Sequence, residues 1–277
     1  MNISINKNNE KIAFFDSGVG GLTVYAKFRK ILSTEDCIYF GDLKHLPYGN
    51  KSKDELISYS RDIFDFFKSK NVKAVVMACN TSSAATYSTV SKEYDFKIYP
   101  IIQSCAQIIA SQGYSRLGIF ATESTINSGV YESEIHKYNP NMKTFAQSCP
   151  QWVNIVESHS QNDENSIKII KSDLDKMLEN NPDKIILGCT HYPYLLDVLS
   201  RFTDRERFID PAEYFVQHIK SDLEKNNLLN QQTINGSEEF FVSANPESFR
   251  LAAQMFYDVK QVELKDIEKL LFKKICK

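Results

Sequence analysis

The sequence lacks several patterns that would assign it to a common functional class. It has no Cys-x-x-Cys pair, which removes the usual spacing of a zinc knuckle or a thioredoxin-like dithiol, and no Gly-Lys-Ser/Thr, which removes a P-loop. No stretch approaches the roughly 18 apolar residues of a membrane span, and the N-terminus has no apolar core of signal-peptide length. The formal net charge of −2 gives no bias toward nucleic acid or anionic membrane. We therefore expect a cytoplasmic protein with no bound metal and with neither of those partners.

The chain has six cysteines, and they are widely scattered: positions 37, 79, 105, 149, 189 and 276. A chain of 277 residues that is 42% apolar can bury a core without cross-links. In a reducing compartment we expect all of these cysteines to be free thiols.

Short apolar runs rich in Ile, Val and Phe alternate with longer segments of helical period, which predicts parallel β-sheets covered by helices. "SKDE" at 52–55 is a capping box that begins a helix with one apolar face, and another amphipathic helix is predicted near 264–276. The polar stretch around 225–238 is interpreted as a surface loop. The predicted strands lie at 12–15, 37–40, 72–78, 97–102, 116–121, 184–187 and 207–209.

The two halves of the chain share a pattern that indicates an internal duplication. "VKAVVMACNTS" at 72–82 and "DKIILGCTHYP" at 183–193 each join an apolar run to a cysteine and then to polar residues. Upstream of each is another strand end, "FFDSGVGG" at 14–21 and "IFATEST" at 119–125. Because α/β sheets bind ligands at the carboxyl ends of their strands, duplicated halves that face each other would present two cysteines to one cleft.

Cys79 and Cys189 are the candidate reactive thiols. Each ends a run of buried-strand type, so a core position is the alternative for either one alone. The polar pairs at 80–81 and 190–191 favour the mouth of a cleft, where helix N-termini and a histidine lower a thiol pKa from its usual value of about 8.5. His191, two residues after Cys189, is the best acid-base candidate among the five histidines. The other cysteines lack such neighbours and are interpreted as structural.

The glycine-rich turn at 14–21 does not complete a dinucleotide fingerprint. Gly18 and Gly20 fit the first two glycine positions, but Thr23 occupies the third. Glycines at a strand-to-helix turn still let backbone N–H groups approach an anion such as a carboxylate. Asp16 beside that turn could receive an ammonium group or a proton, or could simply cap the turn. From the residues alone, Glu157 is interpreted as a helix-surface carboxylate. The segment "HLPYGNKS" at 45–52 is interpreted as a loop.

Taken together, "FFDSGVGGLTV", "YFGD" with "LPYGNKS", "VVMACNTSSA", "CPQWVNIVE" and "LGCTHYPYL" resemble, in order and spacing, the motifs of bacterial glutamate racemases of the cofactor-independent aspartate/glutamate racemase superfamily. The resemblance covers about residues 12–260. It implies two Rossmann-like parallel-sheet α/β domains related by a pseudo-twofold, with the active site in the cleft between them. The implied first domain is 1–100 together with 210–277, and the second is 101–209.

The resemblance also implies a reaction and its residues. The reaction is interconversion of L- and D-glutamate without a cofactor, and it supplies D-glutamate for peptidoglycan. We expect the protein to bind this small substrate and to form a homodimer. Cys79 is the implied base for D-glutamate and Cys189 the base for L-glutamate, with Asp16 assisting the first and Glu157 and His191 the second. The implied substrate contacts are Asp16, Ser17, Tyr48, Gly49, Asn80, Thr81, Thr122, Thr125, Thr190 and His191.

This chain departs from the family pattern away from the two cysteines. "GDLKHLPYG" replaces the usual "GDTARVPYG" in the loop near residue 45. "PIIQSCAQIIA" and "FIDPAEYF" also differ from the family pattern, and these differences bear on the interdomain hinge and the oligomer interface. Three alternatives remain: a racemase for aspartate, a Cys/His hydrolase or acyl-transferase that uses Cys189 with His191, and a catalytically silent protein that binds a small acid.

Overall fold

The structure, a computed structural model, describes residues 7–267. Its strands are β1 Lys11–Asp16, β2 Cys37–Gly41, β3 Val72–Met77, β4 Lys97–Pro100, β5 Arg116–Ala121, β6 Lys143–Ser148, β7 Lys184–Gly188, β8 Phe208–Ile209, β9 Glu238–Val242 and β10 Glu263–Leu264. Its α-helices are α1 Leu22–Ile31, α2 Lys53–Ser69, α3 Asn80–Val90, α4 Ile101–Ala110, α5 Glu123–Asn127, α6 Val130–Tyr138, α7 Trp152–Glu157, α8 Glu164–Leu178, α9 Leu196–Leu199, α10 Pro211–Lys225 and α11 Pro246–Ala253.

The strands form two parallel sheets with the same inner order. Sheet A runs β10-β9-β2-β1-β3-β4, and sheet B runs β6-β5-β7-β8. All paired strands are parallel. The order β2-β1-β3-β4 in sheet A is therefore repeated as β6-β5-β7-β8 in sheet B. This repetition confirms the predicted pair of α/β units, and it is the topology that duplication of one unit would produce.

The two sheets share part of their apolar core. One cluster of buried side chains includes Phe14 of β1 in sheet A, Ile119 and Ile186 of sheet B, and Phe215 of α10. Helix α10 packs against both α1 and α4, and α4 packs against α6. The carboxyl ends of the two sheets are thus held close together by packed helices rather than by a linker alone.

Helix α2 forms as its sequence predicts. The Ser52 hydroxyl accepts the N–H of Glu55 at 3.3 Å, and the Glu55 carboxylate accepts the N–H of Ser52 at 2.9 Å, which completes the capping box. Leu56, Ile63 and Phe67 on the apolar face are fully buried. They pack in one cluster with apolar side chains of β1 and β2, so the helix covers sheet A.

Four sequence-based assignments differ from the structure. The strand predicted at 97–102 ends at Pro100, which is the extended residue that precedes α4. Strands β6 and β9 were not predicted, because β6 is only partly buried and β9 begins inside the segment interpreted as a polar loop. The helix predicted near 264–276 is wrong at its start, since Leu264 lies in β10, and its remainder from residue 268 onward lies outside the described residues. Across residues 7–267, none of the helices has the length and apolar character needed to cross a membrane.

Candidate active site

The segments that follow strands of both sheets line one cavity of about 110 Å³. These segments leave the carboxyl ends of β1, β2 and β3 in sheet A and of β5, β6 and β7 in sheet B, where parallel sheets usually bind their ligands. The lining residues are Ser17, Leu46, Pro47, Tyr48, Gly49, Asn50, Cys79, Asn80, Thr81, Thr122, Glu123, Cys149, Pro150, Val153, Asn154, Cys189, Thr190 and His191.

Cys79 lines the sheet A side of the cavity as the N-cap residue of α3. Its sulfur accepts the N–H of Ser82 at 3.5 Å, and its thiol donates to the Ser17 hydroxyl at 3.8 Å. Burial, reinforced by the charge of Asp16, raises the pKa of Cys79 to about 12, although Ser82 and Ser17 act in the opposite direction. The lowered pKa expected from the sequence is therefore wrong for this thiol, because desolvation outweighs the helix N-terminus. Cys79 holds its proton at neutral pH in the unliganded protein.

Asp16, at the end of β1, is fully buried behind Cys79. Its carboxylate accepts the N–H of Gly18 at 3.0 Å and, from the other sheet's half of the chain, the Thr190 hydroxyl at 3.4 Å. Burial raises the pKa of Asp16 to about 6, while the charge of His191 and these hydrogen bonds limit the rise. Asp16 thus links the two halves and titrates close to neutral pH.

Cys189 follows β7 and is the first of three polar side chains that contact one another in series. Its sulfur is 3.8 Å from Nδ1 of His191, and Nε2 of His191 is 3.1 Å from Oε1 of Glu157. Burial alone would lower the pKa of His191, but hydrogen bonds and charge from Cys189 and Glu157 outweigh it and raise that pKa to about 10. The imidazole is therefore cationic at neutral pH and lies against the sulfur of Cys189.

The loop after β2 supplies another wall of the cavity. It contains two short 3₁₀ turns, Leu43–His45 and Tyr48–Asn50. The Tyr48 hydroxyl donates to the buried carboxylate of Asp42 at 2.5 Å, and Nδ1 of His45 lies 2.7 Å from the same carboxylate oxygen. His45 also stacks on Tyr59 of α2 with ring centroids 3.8 Å apart. The His45 that replaces the family's usual arginine therefore still pairs with Asp42 and holds the loop.

Three threonine hydroxyls meet where the two halves of the chain touch. Thr122 is the N-cap of α5, and its hydroxyl lies 3.0 Å from that of Thr81 and 2.9 Å from that of Thr125. Thr81 belongs to α3 on the sheet A side. The cluster places several hydroxyl donors at the cavity, a chemistry that suits a carboxylate ligand.

Most of the predicted site residues line the cavity, and three lie one hydrogen bond behind it. Asp16 contacts Thr190, Thr125 contacts Thr122, and Glu157 contacts His191. In each pair, the second residue lines the cavity.

Several lining residues were not selected from the sequence. Cys149 was set aside as structural, yet it lines the cavity because it follows β6, a strand that the sequence did not predict. Pro150, Val153 and Asn154 belong to the same segment. The available signal was that this segment belongs to "CPQWVNIVE", one of the motifs that carry the family resemblance. The other lining residues that were missed are Leu46, Pro47, Asn50 and Glu123.

The glycine-rich turn serves close packing between the halves. A Cβ atom at Gly20 would lie 2.5 Å from Oγ1 of Thr190 and 2.7 Å from the His191 ring. A Cβ atom at Gly21 would lie 2.5 Å from Cβ of Asp16. Glycine is therefore needed at both positions, because a larger residue would prevent the segment that bears His191 from approaching the Asp16 side of the site.

A repeated α/β fold that brings thiols from both sheets to a shared cavity, Cys79 after β3 and Cys189 after the equivalent β7, defines a class of protein built to act on a ligand from two sides. The chain belongs to the Asp/Glu/Hydantoin racemase family, whose sequence signature matches residues 20–219. As a racemase it is an isomerase. Across residues 7–267, no group of three or more His, Cys, Asp or Glu side chains is arranged to hold a metal ion.

Named relatives match the chain over nearly its whole length. Glutamate racemase 2 of Caldanaerobacter subterraneus is 37% identical over 95% of this chain and 99% of its own. The glutamate racemase of a Picosynechococcus species is 36% identical over 95% of each chain. A crystal structure of the glutamate racemase from Francisella tularensis, in complex with D-glutamate, superimposes with a TM-score of 0.88 at 31% identity, covering 95% of this chain and 99% of that one.

Proposed function

We propose that this protein is a glutamate racemase that interconverts L- and D-glutamate by a two-base mechanism. The observation that carries the proposal is the pair of thiols, Cys79 and Cys189, which line the same cavity from different sheets and have separate polar partners. Relatives that match nearly the whole chain bear this name, and one is solved with D-glutamate, which supports glutamate as the substrate.

In the proposed reaction, one sulfur is a thiolate and the other a thiol when the substrate binds. The thiolate removes the α-proton from one face of the amino acid, and the electron pair left on carbon spreads into the α-carboxylate. The other thiol then gives its proton to the opposite face, so the configuration is inverted and the two sulfurs have exchanged protonation states. Hydroxyl and amide donors around the carboxylate stabilise the charge that develops there.

The partners of the two sulfurs favour one resting form. Cys79 is buried near Asp16 and keeps its proton, whereas Cys189 is next to a cationic His191 that Glu157 supports. In this arrangement Cys79 is ready to donate a proton, and the cationic imidazole of His191 lies beside the sulfur that we propose as its opposite. If Cys189 acts on L-glutamate, as the family resemblance implies, Cys79 is the proton donor in the L to D direction.

We assign the remaining predicted roles on the same basis. Asp16 assists Cys79, and Glu157 and His191 assist Cys189. The substrate contacts are proposed to bind its carboxylates through N–H and O–H donors and its ammonium group through oxygen acceptors. These contacts are Ser17, Tyr48, Gly49, Asn80, Thr81, Thr122, Thr190 and His191 at the cavity, with Asp16 and Thr125 behind it.

We further propose that residues 1–100 with 210–277 form one domain and residues 101–209 the other. The strands of sheet A fall within the first set and those of sheet B within the second, which supports this division. The family resemblance supports a cytoplasmic homodimer that supplies D-glutamate for peptidoglycan synthesis. Light scattering of the purified protein at two concentrations tests the dimer.

The deciding experiment is incubation of the purified protein with L-glutamate in D₂O, following optical rotation and the α-proton signal together. We expect optical rotation to decay to zero while the α-proton is replaced by deuterium, because each turnover delivers a deuteron from a thiol whose hydrogen has exchanged with the solvent. L-Aspartate is the matched control and should react much more slowly. Faster exchange of aspartate would identify an aspartate racemase, and no exchange of either would indicate a silent binding protein. Cys79→Ser is the second control, since a Cys/His hydrolase that uses Cys189 would not need Cys79.

A further inference from the structure

A tyrosine that does not line the cavity makes a hydrogen bond to a residue that does. Tyr131, on α6 in the sheet B half of the chain, is 3% exposed, and its hydroxyl donates to Oδ1 of Asn80 at 2.6 Å. Asn80 lines the cavity and directly follows Cys79 on the sheet A side. One short, buried hydrogen bond thus joins the two halves of the chain beside the candidate active site.

The ring of Tyr131 lies against the strand that carries the other thiol. A Cβ atom at Gly188 would be 3.0 Å from Cε2 of Tyr131 and 2.9 Å from the carbonyl oxygen of Phe120. Gly188 is the last residue of β7 and immediately precedes Cys189. Tyr131 therefore contacts the strand end before Cys189 with its ring and the residue after Cys79 with its hydroxyl.

This hydrogen bond determines which way the Asn80 amide faces. A buried tyrosine hydroxyl needs an acceptor for its proton, and the amide oxygen of Asn80 is the acceptor within reach. With Oδ1 engaged, the N–H₂ group is the part of the amide left for a ligand. Within residues 7–267, that group donates to no protein acceptor, and an N–H donor in a cavity is the chemistry that recognises an anionic oxygen.

We propose that Tyr131 is a positioning residue that holds the Asn80 amide with its N–H₂ group toward a carboxylate of the substrate. Because the ring is anchored on β7, the same contact sets the position of Asn80 relative to Cys189. The inference rests on the proposed function of this site, to which it adds a residue outside the cavity that acts through one inside it.

The primary variant is Tyr131→Phe, which keeps the ring against Gly188 and removes the hydroxyl. We expect KM to rise about tenfold for both enantiomers, since a hydrogen bond to a charged group is weakened, and kcat to fall by a smaller factor, because the amide already binds the carboxylate in the ground state. The matched control is Tyr99→Phe, which removes a buried hydroxyl that donates to Asp222 at 2.6 Å away from the cavity. The control should have wild-type KM and kcat.

A measurement without substrate separates this inference from the proposed function. The ¹⁵N order parameter of the Asn80 side-chain amide should fall in Tyr131→Phe and remain at its wild-type value in Tyr99→Phe. If the wild-type protein does not racemise glutamate, the proposed function fails, and the order parameter alone decides the role of Tyr131. An unchanged KM together with an unchanged order parameter overturns the inference.

Asn80→Asp tests the amide orientation should Tyr131→Phe not fold. This change keeps the shape and the acceptor for Tyr131 but replaces the N–H₂ donor by a carboxylate oxygen. We expect KM to rise more than in Tyr131→Phe, because two like charges would then face each other across the cavity. A KM within about twofold of wild type would mean that the amide nitrogen does not face the substrate, which also overturns the inference.

Discussion

The substitution Asp16→Asn should make the protein more stable at neutral pH while removing a charge from the active site. Asp16 is fully buried, and its oxygens accept hydrogen bonds from the Gly18 N–H and the Thr190 hydroxyl. Asparagine has the same shape and can keep both contacts, with its amide donating to the Thr190 oxygen. The change therefore removes the cost of burying a carboxylate, together with the smaller favourable interaction of that carboxylate with the charge of His191.

The size of the effect follows from the pKa of Asp16, which burial raises from 3.8 to about 6. One pKa unit corresponds to about 1.4 kcal/mol, so the difference amounts to about 3 kcal/mol at neutral pH. Because the folded protein binds this proton more tightly than the unfolded chain, the stabilisation is complete below pH 3.8 and is lost as the pH rises through about 6. Asparagine does not titrate, so the variant should gain on the wild type across this range.

Urea unfolding from about pH 4 to about pH 8 measures the difference in the free energy of unfolding. Circular dichroism and the fluorescence of Trp152, the single tryptophan, should give coincident transitions if unfolding is two-state. The variant's advantage should grow by about 2.5 kcal/mol between the two ends of the range, because a small part of the difference is already present at about pH 4. Parallel pH profiles for the two proteins would refute the reasoning, since they would mean that folding does not raise the pKa of Asp16. The variant should also show a lower Cys79 pKa by alkylation kinetics, because Asp16 helps to raise it.

Three further outcomes follow from the two thiols. Cys79→Ala and Cys189→Ala should each abolish racemisation, yet eliminate a β-leaving group from the L- and D-analogue respectively; a folded single variant that still racemises glutamate at the wild-type rate would end the two-thiol mechanism. Activity against pH should be bell-shaped, since each direction needs one protonated and one deprotonated group; a steady rise through the thiol range contradicts this. Glu157→Gln should lower the pKa of His191, which Glu157 helps to hold at about 10, and imidazole NMR titration will detect the change or its absence.

The fold was predictable wherever a strand is buried on both faces. The strands β1, β3 and β7 are continuous apolar runs because helices cover both sides of a parallel sheet, and the two cysteines follow the carboxyl ends of β3 and β7. Strand β6 was missed because it lies at the edge of sheet B and is only partly buried, so its sequence, "KTFAQS", lacks such a run. The omission hid the fact that Cys149 follows a strand and therefore lies at the cavity.

The polar contacts behind the cavity could not be predicted from individual residues. Asp16 and Thr190 are 174 residues apart in sequence, and Glu157 and His191 are 34 apart. The first pair meets only when the two halves of the chain pack together, the second joins the segments that follow β6 and β7 of sheet B, and no local periodicity reports either distance. Residue chemistry alone left Glu157 as a surface carboxylate; only the family resemblance placed it in the site.

The charge around each thiol shows why equal topology does not give equal chemistry. Asp16 is the last residue of β1 and Ala121 is the last residue of the equivalent β5, so the first half has a carboxylate behind its thiol where the second half has a methyl group. The histidine two residues after Cys189 has no counterpart after Cys79, where Thr81 stands at the same spacing. A carboxylate in a buried site makes a thiolate costlier, and an imidazolium makes it cheaper. In the two-base mechanism proposed above, the substrate's own ammonium group would offset part of this cost at Cys79, and the D to L direction should then depend more strongly on that group than the L to D direction.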